Sequence, residues 1–345
     1  MIELDYDGRK FSVSPGETVL EALERGGEKI PSSCRSGVCQ SCLLRAECGT
    51  VPRQAQAGLK ERLVNENCFL ACVCRPDENL KVVSVVDAVA FRGGVEILSL
   101  DRMGLDVLAV TFKRPATLRF EAGQFMTFER GDGLSRSYSI ASLPDETETF
   151  NIHVRRVPQG KMSEWFHGKA QIGDTLIASG PTGECCYTGS DKKNPVVLIG
   201  TGTGVAPLWA LARQALRSDH MGDVVIFDGA LSEERLYLRD EIQTQATHLP
   251  KLSYHPCVLK ASEKPGLRVG DLGQIVLDEV PALRLGTFYL CGDPNLVQPL
   301  RKKLFLAGIP LKKIFADPFV SAAPAAAVAS KNVSSQEPVP LDELR

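Results

Sequence analysis

The chain has 345 residues, enough for two or three domains, with 40 lysines and arginines against 42 aspartates and glutamates. A formal charge of −2 with the signs mixed makes no electrostatic case for nucleic acid or an anionic membrane as partner. Eleven cysteines are too small a share for a disulfide scaffold, and no apolar run approaches the ~20 residues of a membrane span.

The chain opens on MIELDYDGRKF, acidic and strand-like, without the basic and apolar regions of a signal peptide. A soluble cytoplasmic protein is expected. Alternation in IELDYDG and KFSVSPG predicts a hairpin. A helix from about Glu17 to Arg25 should follow, opened by the capping-box spacing Ser14-x-x-Glu17 and stopped by Gly26–Gly27.

Next comes CRSGVCQSC, which places Cys34, Cys39 and Cys42 in the spacing C-x4-C-x2-C, with a later cysteine group after it. This is the plant-type ligand pattern of a [2Fe–2S] cluster, whose two irons need four thiolates from two chain segments. Gly37, inside the loop, can take the positive φ needed to turn backbone N–H groups toward sulfide. Cys72, in FLACVCRP, is the expected fourth ligand, since it follows Leu70–Ala71 and precedes Pro76; Cys74 is the alternative. Zinc sites favour paired C-x2-C knuckles and fit this spacing poorly.

Residues 1–84 are therefore expected to form one domain. Over 85–190 the pattern is short alternating runs (VLAVTFKR, QFMTFER, SYSIAS, FNIHVRRV) broken by Gly and Pro, with one helical patch near Met162–His167; this predicts a small β-barrel. Over 191–320 buried-strand runs (PVVLIG, DVVIFDGA, TFYLCGD) alternate with helical stretches, which predicts an α/β domain with a parallel sheet. Residues 321–345, rich in Ala, Pro and Ser, read as a disordered tail.

Chemistry concentrates at a few places in the last two units. Arg136-Ser137-Tyr138-Ser139 can supply a phosphate grip, a ring to lie on a flat heterocycle, and a hydroxyl for a ring nitrogen. Gly160-Lys161-Met162-Ser163 opens the barrel's helix, where free N–H groups suit a pyrophosphate. GTGTGVAP follows a buried strand and enters a helix, so Gly202, Thr203 and Gly204 can admit a dinucleotide to the helix start.

RSYS, HVRRV-x2-G-K-M-S, GTGTGVAP and CGDP occur in the order seen in the ferredoxin–NADP reductase-like flavoprotein family. With the preceding plant-type ferredoxin unit, the chain resembles the three-domain reductase components of bacterial oxygenases over about residues 1–320. The resemblance implies a β-grasp ferredoxin domain, a β-barrel FAD domain and an α/β NAD domain. It implies that Arg136 holds FAD phosphate, Tyr138 stacks on the isoalloxazine, Ser139 bonds near flavin N5, and Gly160–Ser163 cap the pyrophosphate. It also places Cys291, of Cys291-Gly292-Asp293, near the nicotinamide as a catalytic group with Ser139. Phe319 would cover the other flavin face, with Phe315 as alternative. Cys185, Cys186 and Cys257 fit no motif, and His153 and His167 carry no catalytic expectation.

The implied activity is NADH-dependent reduction, passing electrons from NADH through FAD and the cluster to a separate oxygenase, Rieske or di-iron. Alternatives are a non-oxygenase partner, such as a sugar-deoxygenating enzyme, or a redox-sensing module. NADH is expected over NADPH, because Asp228 can accept from a ribose 2′-OH and Leu231 stands where many relatives carry arginine. Arg235 and Arg239 argue the other way, and Asp228 could simply be a turn residue before Gly229.

Overall fold

The computed structural model describes residues 2–28, 30–32, 34–37, 40–59, 61–85, 91–146, 148–187, 189, 191–260 and 266–320. Cys39 and the tail expectation for 321–345 lie outside these residues.

The first unit contains β1 (Ile2–Tyr6), β2 (Arg9–Val13), α1 (Val19–Arg25), β3 (Leu43–Cys48), α2 (Glu61–Asn65), β4 (Cys68–Leu70) and β5 (Leu80–Ser84). Its sheet runs β2-β1-β5-β3-β4, with β1 and β5 parallel and the other neighbours antiparallel. Asp7 and Gly8, at φ 47° and 84°, make the two-residue turn of the expected hairpin. α1 lays Val19, Leu20 and Leu23 onto Leu4, Leu44, Phe69 and Leu80. It begins two residues later than expected, because Thr18 and Glu21 form the reciprocal cap. The Ser14–Glu17 spacing instead closes the preceding turn, with the Ser14 N–H donating to the Glu17 carboxylate.

The second unit contains β6 (Phe91–Arg102), β7 (Val107–Lys113), β8 (Phe125–Glu129), β9 (Ser135–Ser139), β10 (Thr149–Arg155), α3 (Lys161–Gly168) and β11 (Thr175–Thr182). The order is β10-β7-β6-β11-β8-β9, and a bridge from Ile140 to Ile152 brings the two edges together as a barrel. An irregularity between Ile97 and Ser99 bends the long β6 so that it serves both sides. Phe112 stacks on Phe128 and Phe150 at 5.0 and 5.3 Å to fill the interior.

The third unit contains β12 (Val196–Thr201), α4 (Val205–Arg217), β13 (Val224–Ala230), α5 (Arg239–His248), β14 (Leu252–Val258), β15 (Arg268–Val269), α6 (Leu272–Leu283), β16 (Thr287–Gly292), α7 (Pro294–Leu306) and β17 (Ile314–Pro318). All neighbours are parallel, in the order β15-β14-β13-β12-β16-β17. Both sheet faces are covered, which explains the unbroken apolar runs. Val196 and Leu198 pack with α4 and α5, whereas Val197 and Ile199 pack with α6 and α7. The strand order reverses between β12 and β16, so the crevice for a dinucleotide lies past their carboxyl ends. Gly202–Gly204 and Cys291–Asp293 both sit there.

Candidate functional site

A cleft of about 1440 Å³ runs between the three units, larger than a single drug-sized pocket needs. The first unit lends it Cys34 and Arg35; the barrel lends Arg136 to Ser139 and Gly160 to Ser163; the third unit lends Thr203, Asp317 and Phe319. Most of the residues selected from the flavin motifs thus share one wall. Arg136, Arg155 and Lys161 supply positive charge along it. Among the described residues Arg155 has no ion pair. Its guanidinium lies beside Gly202, where a side chain would begin 3.2 Å from Nη1.

Tyr138 borders the cleft and packs edge-on against Phe166 at 5.8 Å, so its ring is fixed from behind. α3 has no side-chain cap, which leaves its first N–H groups for an anion. Gly160 is needed here: a Cβ would meet Ser163 Oγ at 2.5 Å and the Val157 carbonyl at 2.9 Å. Two side chains of this segment turn away from the cleft. Met162 is in the barrel core, and the Ser163 hydroxyl accepts from the Val157 N–H at 3.1 Å. Their contribution to a pyrophosphate site is backbone N–H only. Cleft size, cation set and uncapped helix fit an FAD.

Ser139 Oγ donates to Asp317 Oδ2 at 3.3 Å. Burial pushes the Asp317 carboxyl up to about 6, against the opposing pull of the Ser139 bond. The residue itself is partly exposed and lines the cleft. Asp317 was not singled out from the sequence, where one acid in IFADPF carries no spacing signal. Phe319 lines the cleft, whereas Phe315 stacks on Tyr289 at 5.1 Å, which separates those two candidates.

Two expectations at the nucleotide end, for Cys291 and Asp228, need correction. Cys291 has no exposed surface; its sulfur is 3.6 Å from that of Cys185, and the neighbouring thiol and burial push its pKa well up. With no exposed surface the thiol lies behind the cleft wall rather than on it, and this arrangement lends no support to Cys291 as a catalytic group. Asp228 is 2 % exposed and accepts from the Tyr254 hydroxyl at 2.8 Å, inside β13 rather than in a turn, so it cannot face a ribose. Asp293 is exposed, but its carboxylate caps α7 by accepting from the Asn295 N–H at 2.9 Å.

Gly204 is glycine for packing, since a Cβ would lie 2.3 Å from the Cys291 carbonyl oxygen. Gly202, at φ 55°, shapes the loop itself. Gly292 fits against Thr201 in the same way, and the Asp293 N–H donates to the Thr201 hydroxyl at 3.0 Å, locking the two crevice loops together. His153 joins the second and third units through Tyr237 at 2.9 Å, and burial pushes it down to about 4, so it is neutral at pH 7.

In the first unit Cys34, Cys42 and Cys72 are all buried, and backbone N–H groups of Ser36 and Cys72 reach the sulfurs of Cys34 and Cys42 at 3.4 Å each. N–H donors on cysteine sulfur are what a thiolate-bound cluster needs. The Cys42 side chain holds Cys72 below the usual thiol range, whereas burial pushes Cys74 up to about 12. Cys72, not Cys74, belongs to the Cys42 environment. The donor set fits a [2Fe–2S] cluster.

A β-grasp unit with buried cluster-type thiols, a barrel with a dinucleotide cleft and a parallel-sheet crevice define an iron–sulfur flavoprotein oxidoreductase. The chain matches the 2Fe-2S iron-sulfur cluster binding domain family over residues 2–77, the oxidoreductase FAD-binding domain over 96–187 and the oxidoreductase NAD-binding domain over 198–302. It is 32% identical over 304 residues to the reductase subunit of an aromatic O-demethylase from Amycolatopsis, covering 84% of this chain and 90% of that one. It is 28% identical over 320 residues to the ferredoxin–NAD(P)+ reductase component of a naphthalene 1,2-dioxygenase system from Pseudomonas putida, covering 91% and 96%. The crystal structure of the Amycolatopsis cytochrome P450 reductase GcoB superposes with a TM-score of 0.68 at 30% identity, covering 94% of this chain and all of that one. The chain belongs to the family of three-domain ferredoxin–flavin reductase components of oxygenase systems. Among the described residues no helix is long and apolar enough to cross a membrane.

Proposed function

We propose that this chain is the NADH-oxidising reductase of a separate, cytoplasmic oxygenase, to which its iron–sulfur domain delivers electrons one at a time. The observation that carries the reading is the single cleft in which the flavin-type wall, the nucleotide loop and a cluster cysteine, Cys34, meet. FAD supplies the exchange between a two-electron hydride and single electrons, and the cluster supplies a one-electron carrier. Arg136, Lys161 and the start of α3 would hold the FAD phosphates, Tyr138 and Phe319 its ring, and Ser139 a ring nitrogen. Ser139 is itself oriented by Asp317, which holds or releases a proton near pH 6. Cys34, Cys39, Cys42 and Cys72 would hold the cluster. Catalysis rests on positioning. Relatives serve a cytochrome P450 and a dioxygenase, which widens the acceptor class beyond the Rieske and di-iron enzymes expected from the sequence.

NADH is favoured over NADPH, for a different reason than Asp228. A 2′-phosphate needs converging cations. The two guanidiniums that follow β13 are already committed, Arg235 to Asp106 at 2.6 Å and Arg239 to Glu233. To take a phosphate each would have to leave a carboxylate partner, and those two carboxylates would stand beside the bound phosphate. The test is kcat/KM for both nucleotides. Wild type should prefer NADH, Asp228→Ala should keep the preference, and the pair Asp106→Asn with Glu233→Gln should raise relative NADPH use about tenfold. A wild-type preference for NADPH contradicts this reading.

A further inference from the structure

Side chains alternate along a strand, so Met126 and Phe128 of β8 enter the barrel core while Phe125 and Thr127 face the other way. Register then pairs Phe125 with Ser139 and Thr127 with Ser137 on that outer face. The first unit covers this face. Cys34 packs against Phe125, Ser41 Oγ lies 2.8 Å from Thr127 Oγ1, and Thr127 Oγ1 lies 2.9 Å from Ser137 Oγ. Ser41 stands between Cys39 and Cys42 in the sequence, and Ser137 between Arg136 and Tyr138. A three-hydroxyl ladder thus joins the cluster loop to the flavin-motif strand.

Thr127 is the middle rung and is 4% exposed. A buried hydroxyl without partners is costly, and this one has a hydroxyl partner on each side. Phe125 beside it supplies an apolar contact to a cluster cysteine. Such a seam holds two units at a fixed separation.

We propose that Thr127 is a positioning residue that seats the cluster loop on the flavin strand and so fixes the gap crossed by each electron. This rests on the reading of Cys34, Cys39, Cys42 and Cys72 as cluster ligands and of Arg136–Ser139 as the flavin strand. In the step it serves, the reduced flavin loses one electron and the oxidised cluster gains it. No proton or covalent bond passes along the ladder.

The test compares full-length holoprotein as wild type, Thr127→Val and Thr127→Ser. Valine keeps the volume and removes the hydroxyl; serine keeps the hydroxyl. Rapid mixing with NADH separates flavin reduction, read by absorbance, from cluster reduction, read by EPR of frozen samples. Amide hydrogen exchange over residues 40–44 and 135–139, without NADH, reads the seam directly. Thr127→Val should slow cluster reduction about tenfold or more, as small misplacements do. It should also speed exchange over 40–44 and keep the wild-type rate of flavin reduction. Thr127→Ser should restore both affected readouts. Unchanged cluster reduction and exchange in Thr127→Val would make the ladder plain interface packing and overturn the proposal. Loss of bound FAD, or equal slowing of both phases, would overturn it as well, by showing a flavin-site role. Dithionite-reduced wild-type protein without a [2Fe–2S] EPR signal would fail the cofactor reading, and the proposal with it.

Discussion

Replacing Asp228 by asparagine should stabilise the nucleotide domain at neutral pH without touching cofactor choice. Asp228 is enclosed at the centre of the parallel sheet, and burial pushes its carboxyl up to about 7, against the opposing pull of the Tyr254 hydroxyl. An unfolded aspartate ionises near 3.9. Between those values the native state binds the extra proton, so stability falls as pH rises from about 4 to about 7 and is level outside that window. About three pKa units at 1.36 kcal/mol each correspond to a loss of about 4 kcal/mol by pH 8. Asparagine stays neutral and can still accept from Tyr254. Groups common to both proteins, Asp317 included, cancel in the comparison. The assay is urea unfolding at pH 5 and pH 8, followed by the fluorescence of Trp209, which lies in α4 of the same domain, in a Trp165→Phe background. Asp228→Asn should gain stability over wild type by an amount that grows from pH 5 to pH 8 by a few kcal/mol. Equal pH dependence in both proteins would refute the buried-carboxylate account, and an altered NADH preference would return Asp228 to the ribose.

Cys72→Ser should abolish the cluster's EPR signal, whereas Cys74→Ser, Cys68→Ser and Cys48→Ser should retain it; the reverse result for 72 and 74 would overturn the ligand assignment. Ser139→Ala should slow NADH-to-flavin hydride transfer about a hundredfold, measured by stopped flow, if its hydroxyl supports the reacting ring. Asp317→Asn should remove an inflection near pH 6 from the pH profile of that step.

The parts legible in the sequence were those fixed by short-range spacing. The cysteine triplet, the apolar runs of β12, β13 and β16, and the glycine loop each announce themselves within about ten residues. Arg136–Ser139 and Gly160–Ser163 could be singled out because each forms a local motif, and the fold brings both to one cleft. What stayed hidden depends on partners far along the chain. Ser139 and Asp317 are 178 residues apart, and Ser41 and Thr127 are 86 apart. An aspartate before a glycine at a strand end ordinarily reads as surface; the flanking strands β12 and β14, the latter with Tyr254, bury Asp228. Cys291 was misread for a similar reason, since its strand-end position says nothing of Cys185 beside it. At α1 two capping-box spacings lie four residues apart, Ser14–Glu17 and Thr18–Glu21, and local pattern alone does not choose between them.

The proposed order of carriers is NADH to flavin to cluster to protein acceptor. The most direct measurement uses Cys72→Ser holoflavoprotein, free of cluster, with NADH and two acceptors in parallel. That order predicts ferricyanide reduction near the wild-type rate and loss of cytochrome c reduction. Wild-type cytochrome c reduction by that variant would contradict it, because the flavin would then be delivering electrons directly.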